Sequence, residues 1–257
     1  MVSSSPSSRK IRKSSKRTTI PFNNLPDDLV LMEVISRVAV SSLADVCSLK
    51  LVSKSLHNLS NDAHVFQNVS IDEIPLNSWK QNPRISSFLQ NCRNNGNREA
   101  LFRRGIVNYF GWRRSTSEGF ECLVRAAAKK HREAMYIHGM ILVCSGSETK
   151  HKGLEILSPL VKSSMTKTIE NLEGCRERIE NHIRGRWTDQ SLIKQIQRSY
   201  NRDICTCDGH TKAFLVRNTI WNRYGEDKDQ NFPICQNCLW SYEVDRFLSI
   251  LESSAKC

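Results

Sequence analysis

Apolar residues along the chain fall into helical spacing wherever they cluster. Asn24-Leu25-Pro26-Asp27-Asp28-Leu29 reads as a helix start. Asn24 or Leu25 lies at the cap, Pro26 near the first helical position, and the two acids where the helix dipole favours them. Leu31, Val34, Ile35 and Val38 continue an apolar face. Ser42-Leu43-Ala44-Asp45 is a second start, with Ser42 as cap and Asp45 reaching back as a weak capping box. Val46, Leu49, Val52, Leu56 and Leu59 follow at steps of three and four, with Lys50 and Lys54 off that face. The pattern predicts three short amphipathic helices in ~40 residues, too few to bury their own faces well. Such a unit is expected to dock on a partner.

The middle of the chain repeats. Residues 98–123 align with 132–157 at an offset of 34, without a gap. Arg98-Glu99-Ala100 returns as Arg132-Glu133-Ala134, Gly105 as Gly139, Gly119 as Gly153, Glu121 as Glu155 and Leu123 as Leu157. A period of ~34 residues is that of helix–turn–helix solenoids. Each unit reads as a helix, a polar loop (Arg113–Glu118, then Ser145–Lys152) and a second helix. Ala100/Ala134 and Gly105/Gly139 let neighbouring helices approach closely. Two units are fewer than the roughly three that stand alone, so helices at 84–92 and 165–183 are expected to cap them. Met165, Ile169, Leu172, Ile179 and Ile183 form one stripe of the latter. Pro159 is expected to end or kink the last helix of the second unit. A stack of this kind offers a concave surface to a protein or peptide.

Composition narrows the function classes. The 257 residues carry 38 Lys plus Arg against 26 Asp plus Glu, a net charge of +12. Residues 1–19 hold Arg9, Lys10, Arg12, Lys13, Lys16 and Arg17 and no acid, so half the net charge lies in this tail. Its serines and scarce apolar residues predict disorder. Such a basic run reads as a nuclear-localisation signal or a polyanion-binding arm. No stretch approaches the ~18 apolar residues of a membrane helix, and no apolar region follows the N-terminal charges as in a secretory signal. The expected compartment is therefore reducing: the nucleus, with the cytoplasm as alternative. The glycine loops, serine elbow and His-Glu-x-x-His helix of common enzyme classes are absent from the sequence.

Of the ten cysteines, Cys47, Cys92, Cys122, Cys144, Cys175 and Cys257 are scattered. The rest form Cys205-x-Cys207 and Cys235-x-x-Cys238, with His210 close to the first pair. Two thiolate pairs joined by a loop are the arrangement of a closed tetrahedral zinc site. The expected ligands are Cys205, Cys207, Cys235 and Cys238, with His210 as an alternative. Phe214, Leu215, Trp221, Tyr224, Phe232, Trp240 and Tyr242 are expected to build a compact knuckle around the metal.

Three of these features resemble known families. Leu25-Pro26, Leu29, Ile35, Ser42-Leu43, Leu49 and Leu51-Val52-Ser53-Lys54-Ser55-Leu56 resemble the F-box motif. The resemblance implies binding to a Skp-family adaptor, and through it to a cullin, in a ubiquitin ligase. The implied adaptor-facing or helix-packing set is Leu25, Pro26, Leu29, Ile35, Leu43, Leu49, Val52 and Lys54. The stretch Ala126–Gly139 resembles a Sel-like repeat, a relative of tetratricopeptide repeats. That family places Gly where Lys130 stands before His131, so His131 and His138 are read as packing or surface residues. The order of basic tail, F-box, repeats and Cys-rich end is similar to a plant F-box protein family. The implied fold is all-α: a basic tail (1–21), an F-box (22–70), an α-solenoid (71–184; repeats near 98–131 and 132–165) and a zinc-stapled Cys-rich region (185–257). The implied function is a non-catalytic substrate receptor for an unidentified target. The alternative is a zinc-stabilised nuclear nucleic-acid-binding or scaffold module, drawing on Arg184, Arg186, Lys194, Arg198 and Arg202.

Overall fold

The computed structural model describes residues 27–75, 82–112, 114–184, 188–200 and 236–254. Every regular element among them is helical, apart from an isolated antiparallel bridge between Gly111 and Thr188. The first module holds four helices rather than three: α1 (Asp27–Ser41), α2 (Leu43–Val52), α3 (Lys54–Leu59) and α4 (Ala63–Asn68). Ser42 caps α2 by accepting from the Asp45 N–H at 3.1 Å. The reciprocal half of the expected capping box is not made, because the Ser42 N–H donates to Val38 O at the end of α1. The expected continuous face from Val46 to Leu59 is broken. Ser53 is extended and caps α3 through the Leu56 N–H, which leaves Val52 70% exposed instead of packed.

The core of this module gathers Ile35, Ala39, Val46, Val65, Phe66 and Val69, and it runs past residue 70. Ile71, Ile74, Cys92 and Ala100 belong to it, and Phe88 and Leu89 of α5 (Pro83–Asn94) pack against it. The repeats follow as α6 (Arg98–Phe110) with α7 (Thr116–Ala128), then α8 (Arg132–Cys144) with α9 (Ser147–Leu157). The second loop is far shorter than expected. Gly146, at φ 117°, turns the chain at once into α9, whose polar first turn is an exposed helix face. The repeated glycines set the helix approach. A Cβ on Gly119 would lie 2.3 Å from the Tyr109 backbone nitrogen, and one on Gly153 would lie 2.7 Å from Gly139 O. Pro159 stands in a 3-10 turn (Ser158–Leu160) that ends α9, as its ring requires.

Three further helices complete the second core: α10 (Met165–Ile183), α11 (Gln190–Ser199) and α12 (Gln236–Ser254). Leu172, Ile179 and Ile183 of the predicted stripe are buried. Among the described residues, the faces of α6 and α8 expected to line an open concave surface are covered. α10 packs on both α6 and α8, and α11 and α12 pack on α8. Phe247 of α12 sits edge-on to Phe110 and Tyr136. The reason is that α8 is apolar all round: Ala134, Tyr136, Ile137, Met140, Ile141 and Val143 are all buried. Trp240, one of the residues expected around the metal, packs into this core; Phe214, Leu215, Trp221, Tyr224 and Phe232 lie outside the described residues.

Candidate adaptor-docking surface

Short helices with a small core leave apolar side chains outside. Leu51 is 89% exposed, Val52 70%, Val40 59% and Val34 52%. Leu51 and Val52 end α2, just where Ser53 turns the chain, so neither can fold back onto the core. Lys50, Leu51, Ser53, Lys54, His57 and Asn58 line an open groove of about 430 Å³ there. Lys50 is held by its own module: Nζ donates to Asn61 Oδ1 at 2.7 Å and lies 5.5 Å from the Phe66 ring centroid. Burial lowers its pKa, partly countered by nearby Cys47 and Cys92. Lys54, at the first position of α3, is exposed. The surface is therefore apolar with a basic edge.

The implied docking residues divide. Ile35 is 1% exposed and is a core residue. Leu43 and Leu49 are half-buried against the same core. Val52 and Lys54 face solvent. Leu29 lies in the first turn of α1, and Leu25 and Pro26 lie outside the described residues. Leu51, outside the implied set, is the most exposed apolar side chain here, and the spacing carries no signal for it because the break at Ser53 is not visible in the sequence.

Two polar clusters tie the remaining elements together. Glu99 of α6 accepts from Arg103 Nε at 2.7 Å and Arg178 Nη2 at 2.7 Å, and pairs with His131 Nε2 at 2.8 Å. Burial works to raise its carboxyl, but hydrogen bonds from His131 and Arg103 and the Arg178 charge outweigh it and hold the pKa well below the usual carboxylate range. Arg178 also faces Glu133, the equivalent of Glu99 in the second repeat, at 3.7 Å. In the second cluster Tyr136 Oη donates to Glu243 at 2.9 Å, and Arg176 Nη1 reaches both Glu243 oxygens at 2.6 and 2.8 Å. Burial raises the Glu243 pKa against the opposing Arg176 charge. Both clusters join helices. His131 and His138 are packing residues: His131 stacks on Phe102 and His138 meets Phe120 edge-on.

Of the scattered thiols, Cys92, Cys122, Cys144 and Cys175 are buried and Cys47 is exposed; Cys257 lies outside the described residues. Burial pushes Cys92, Cys144 and Cys175 up to about 12, which keeps them as thiols. Of the expected zinc ligands, Cys238 is half-buried in the first turn of α12. Cys205, Cys207, His210 and Cys235 lie outside the described residues, as do Arg9, Lys10, Arg12, Lys13, Lys16 and Arg17. Among the described residues no group of three or more His, Cys, Asp or Glu side chains is placed to hold a metal. None of the described helices is long and apolar enough to cross a membrane.

Residues 71–184 match the family model described as plant tetratrico peptide repeats. An Arabidopsis thaliana protein named as an F-box protein, At1g67623, is 37% identical over 227 residues, which is 88% of this chain and 75% of that protein. A second, the F-box protein At2g35280 of the same plant, is 28% identical over 131 residues, covering 50% of this chain and 77% of its own length. No solved structure matches. An identity of 37% over 88% of this chain must run through both the short-helix module and the repeats, and by it this chain belongs to the F-box proteins.

Proposed function

We propose that the chain is the substrate-receptor subunit of a Skp-cullin-F-box ubiquitin ligase. The exposed side chains of α1–α3 dock on a Skp-family adaptor and through it on a cullin. The remaining surfaces of the repeat and C-terminal regions hold the target protein. One observation carries this reading: Leu51 and Val52 stand out in solvent beside Lys54 in a chain of the F-box family. Adjacent apolar side chains left outside a small core fit a surface that a partner covers. The chain itself is then non-catalytic. It contributes effective concentration, keeping a target lysine near the ubiquitin donor. Pull-down of the full chain co-expressed with a Skp-family adaptor tests this. Wild type is expected to retain the adaptor and Leu51→Asp/Val52→Asp to lose it with helicity unchanged, since neither side chain is in the core. Leu25→Ala/Pro26→Ala is expected to weaken capture as well. Equal recovery from all three overturns the reading.

Two extensions belong to the same proposal. Cys205, Cys207, Cys235 and Cys238, with His210 as the alternative ligand, bind a structural zinc at the start of α12. Thiolate pairs at both ends of a loop support it. Purified protein is then expected to carry about one zinc per chain, lost in Cys235→Ser/Cys238→Ser. The basic tail directs the protein to the nucleus, and deletion of residues 1–21 from a fluorescent fusion is expected to abolish nuclear enrichment.

A further inference from the structure

The two hydrophobic cores do not merge. Ala100 packs into the first, whereas Leu101 and Phe102, the next residues of α6, pack into the second. Between the cores runs a polar seam of Asp72, Asn97, Glu99, Arg103 and Arg178. Polar contacts between two units permit relative motion by default.

Asn97 opposes that motion. It is 3% exposed. Its Nδ2 donates to Phe66 O at 3.1 Å and Val69 O at 2.9 Å, at the end of α4. Its Oδ1 accepts from the Glu99 and Ala100 N–H groups at 3.1 Å each, at the start of α6. The amide thus uses its whole hydrogen-bonding capacity, half on each side of the seam. Arg103 adds a second strap by donating from Nη1 to Ile74 O at 2.8 Å. Asp72 faces Arg103 at 3.6 Å and Arg178 at 3.7 Å.

The repeat explains the position. At the offset of 34, Asn97 corresponds to His131. Each follows a residue with positive φ, Gly96 at 78° and Lys130 at 59°. Each donates its own N–H five residues back, Asn97 to Cys92 O and His131 to Ala126 O. Each caps the next helix and reaches back to the preceding unit. For His131 the contact is Glu99 of the first repeat; for Asn97 it is the end of α4.

We infer that Asn97 is a positioning residue that locks the F-box helices onto the array in the place of a preceding repeat, so that F-box and repeats move as one rigid body. The functional consequence rests on the receptor role proposed above: adaptor and target are held at a fixed separation rather than on a tether. The rigidity itself can be read without an adaptor. Click-reactive residues at the exposed positions Ser55 in α3 and Lys152 in α9 accept a dye pair for single-molecule distance measurement on the full chain. Wild type is expected to give one narrow distance distribution. Asn97→Asp keeps the capping oxygen but turns the two donors into a carboxylate facing two carbonyls. It is expected to widen the distribution by roughly twofold or more while helicity is retained. A wild-type distribution already as broad, or an unchanged width in the variant, overturns the inference. Should Asn97→Asp not fold, Asn97→Ser decides, because Ser keeps a capping oxygen for α6 and removes the amide that donates to Phe66 O and Val69 O: broadening supports the lock and an unchanged width overturns it. Loss of adaptor binding would sink the receptor reading and leave this result standing.

Discussion

At the scale of the residue, the junction between the repeats rests on a lysine in a glycine's conformation. Lys130 closes α7 with its N–H on Ala127 O, while the His131 N–H reaches Ala126 O. That pair of bonds is the Schellman ending, which favours Gly at the left-handed position. An L-residue there costs about 1–2 kcal/mol in local sterics. Lys130 is exposed, so its side chain offsets little of this by packing. Lys130→Gly is therefore expected to stabilise the chain by roughly 0.5–1 kcal/mol after the extra backbone entropy of Gly is counted. Denaturant melts of the two chains check it; a destabilised variant would contradict it. The Tyr136–Glu243–Arg176 cluster shows the opposite economy. Three polar side chains are buried, but each satisfies another, and the cluster fixes α12 against α8 and α10.

At the scale of the element, the repeat identities read as packing instructions. Gly119→Ala would push a Cβ to 2.3 Å from Tyr109 N and 2.7 Å from the Asn108 carbonyl carbon. Backbone cannot yield as a side-chain tip can, so a loss of roughly 1–3 kcal/mol is expected. Gly174 in α10 has nothing within 4 Å of its would-be Cβ. Gly174→Ala is expected to gain about 0.5–1 kcal/mol from helix propensity. Thermal melts showing equal shifts for both would contradict the assignment. Caps, the repeat period and the stop at Pro159 were legible because they depend on neighbours in sequence. The exposure of Val52 was not, since spacing alone does not reveal that Ser53 interrupts the helix. The filling of the concave face was legible in principle. The run Met135–Val143 lacks the polar stripe that α7 keeps at Ser117, Glu118, Glu121 and Arg125, and such a helix must be covered on every side. The covering helix α12 lies about a hundred residues further on, and no local pattern announces that pairing.

At the scale of the whole molecule, the second core contains two histidines whose burial resists protonation. His138 has its pKa lowered by burial, and His182 by burial against opposing contributions from Arg178 O and Glu99. Both lie below the ordinary 6.5 when folded. Below 6.5 the unfolded chain therefore binds more protons than the folded one, and stability falls as pH drops. Glu99, depressed when folded, works in a lower window, losing its contribution only as pH falls below the ordinary carboxylate value of 4.5. The melting temperature is thus expected to decline from pH 7.5 to 5.5, and the slope to shrink in His138→Gln/His182→Gln. An identical slope in the variant would reject this account. The arginine that meets both repeats has a further consequence for how such chains diversify. Arg178 supplies one guanidinium to Glu99 and Glu133 together, from a helix that packs on the first helix of each repeat. A third copy inserted after the second would bring the arginine of its own repeat, as Arg132 lies 3.0 Å from Glu133, but its buried glutamate would have no share of Arg178. An added unit would thus lie outside the one charge that the two repeats share, so gaining units costs this array more than point substitution at its surface.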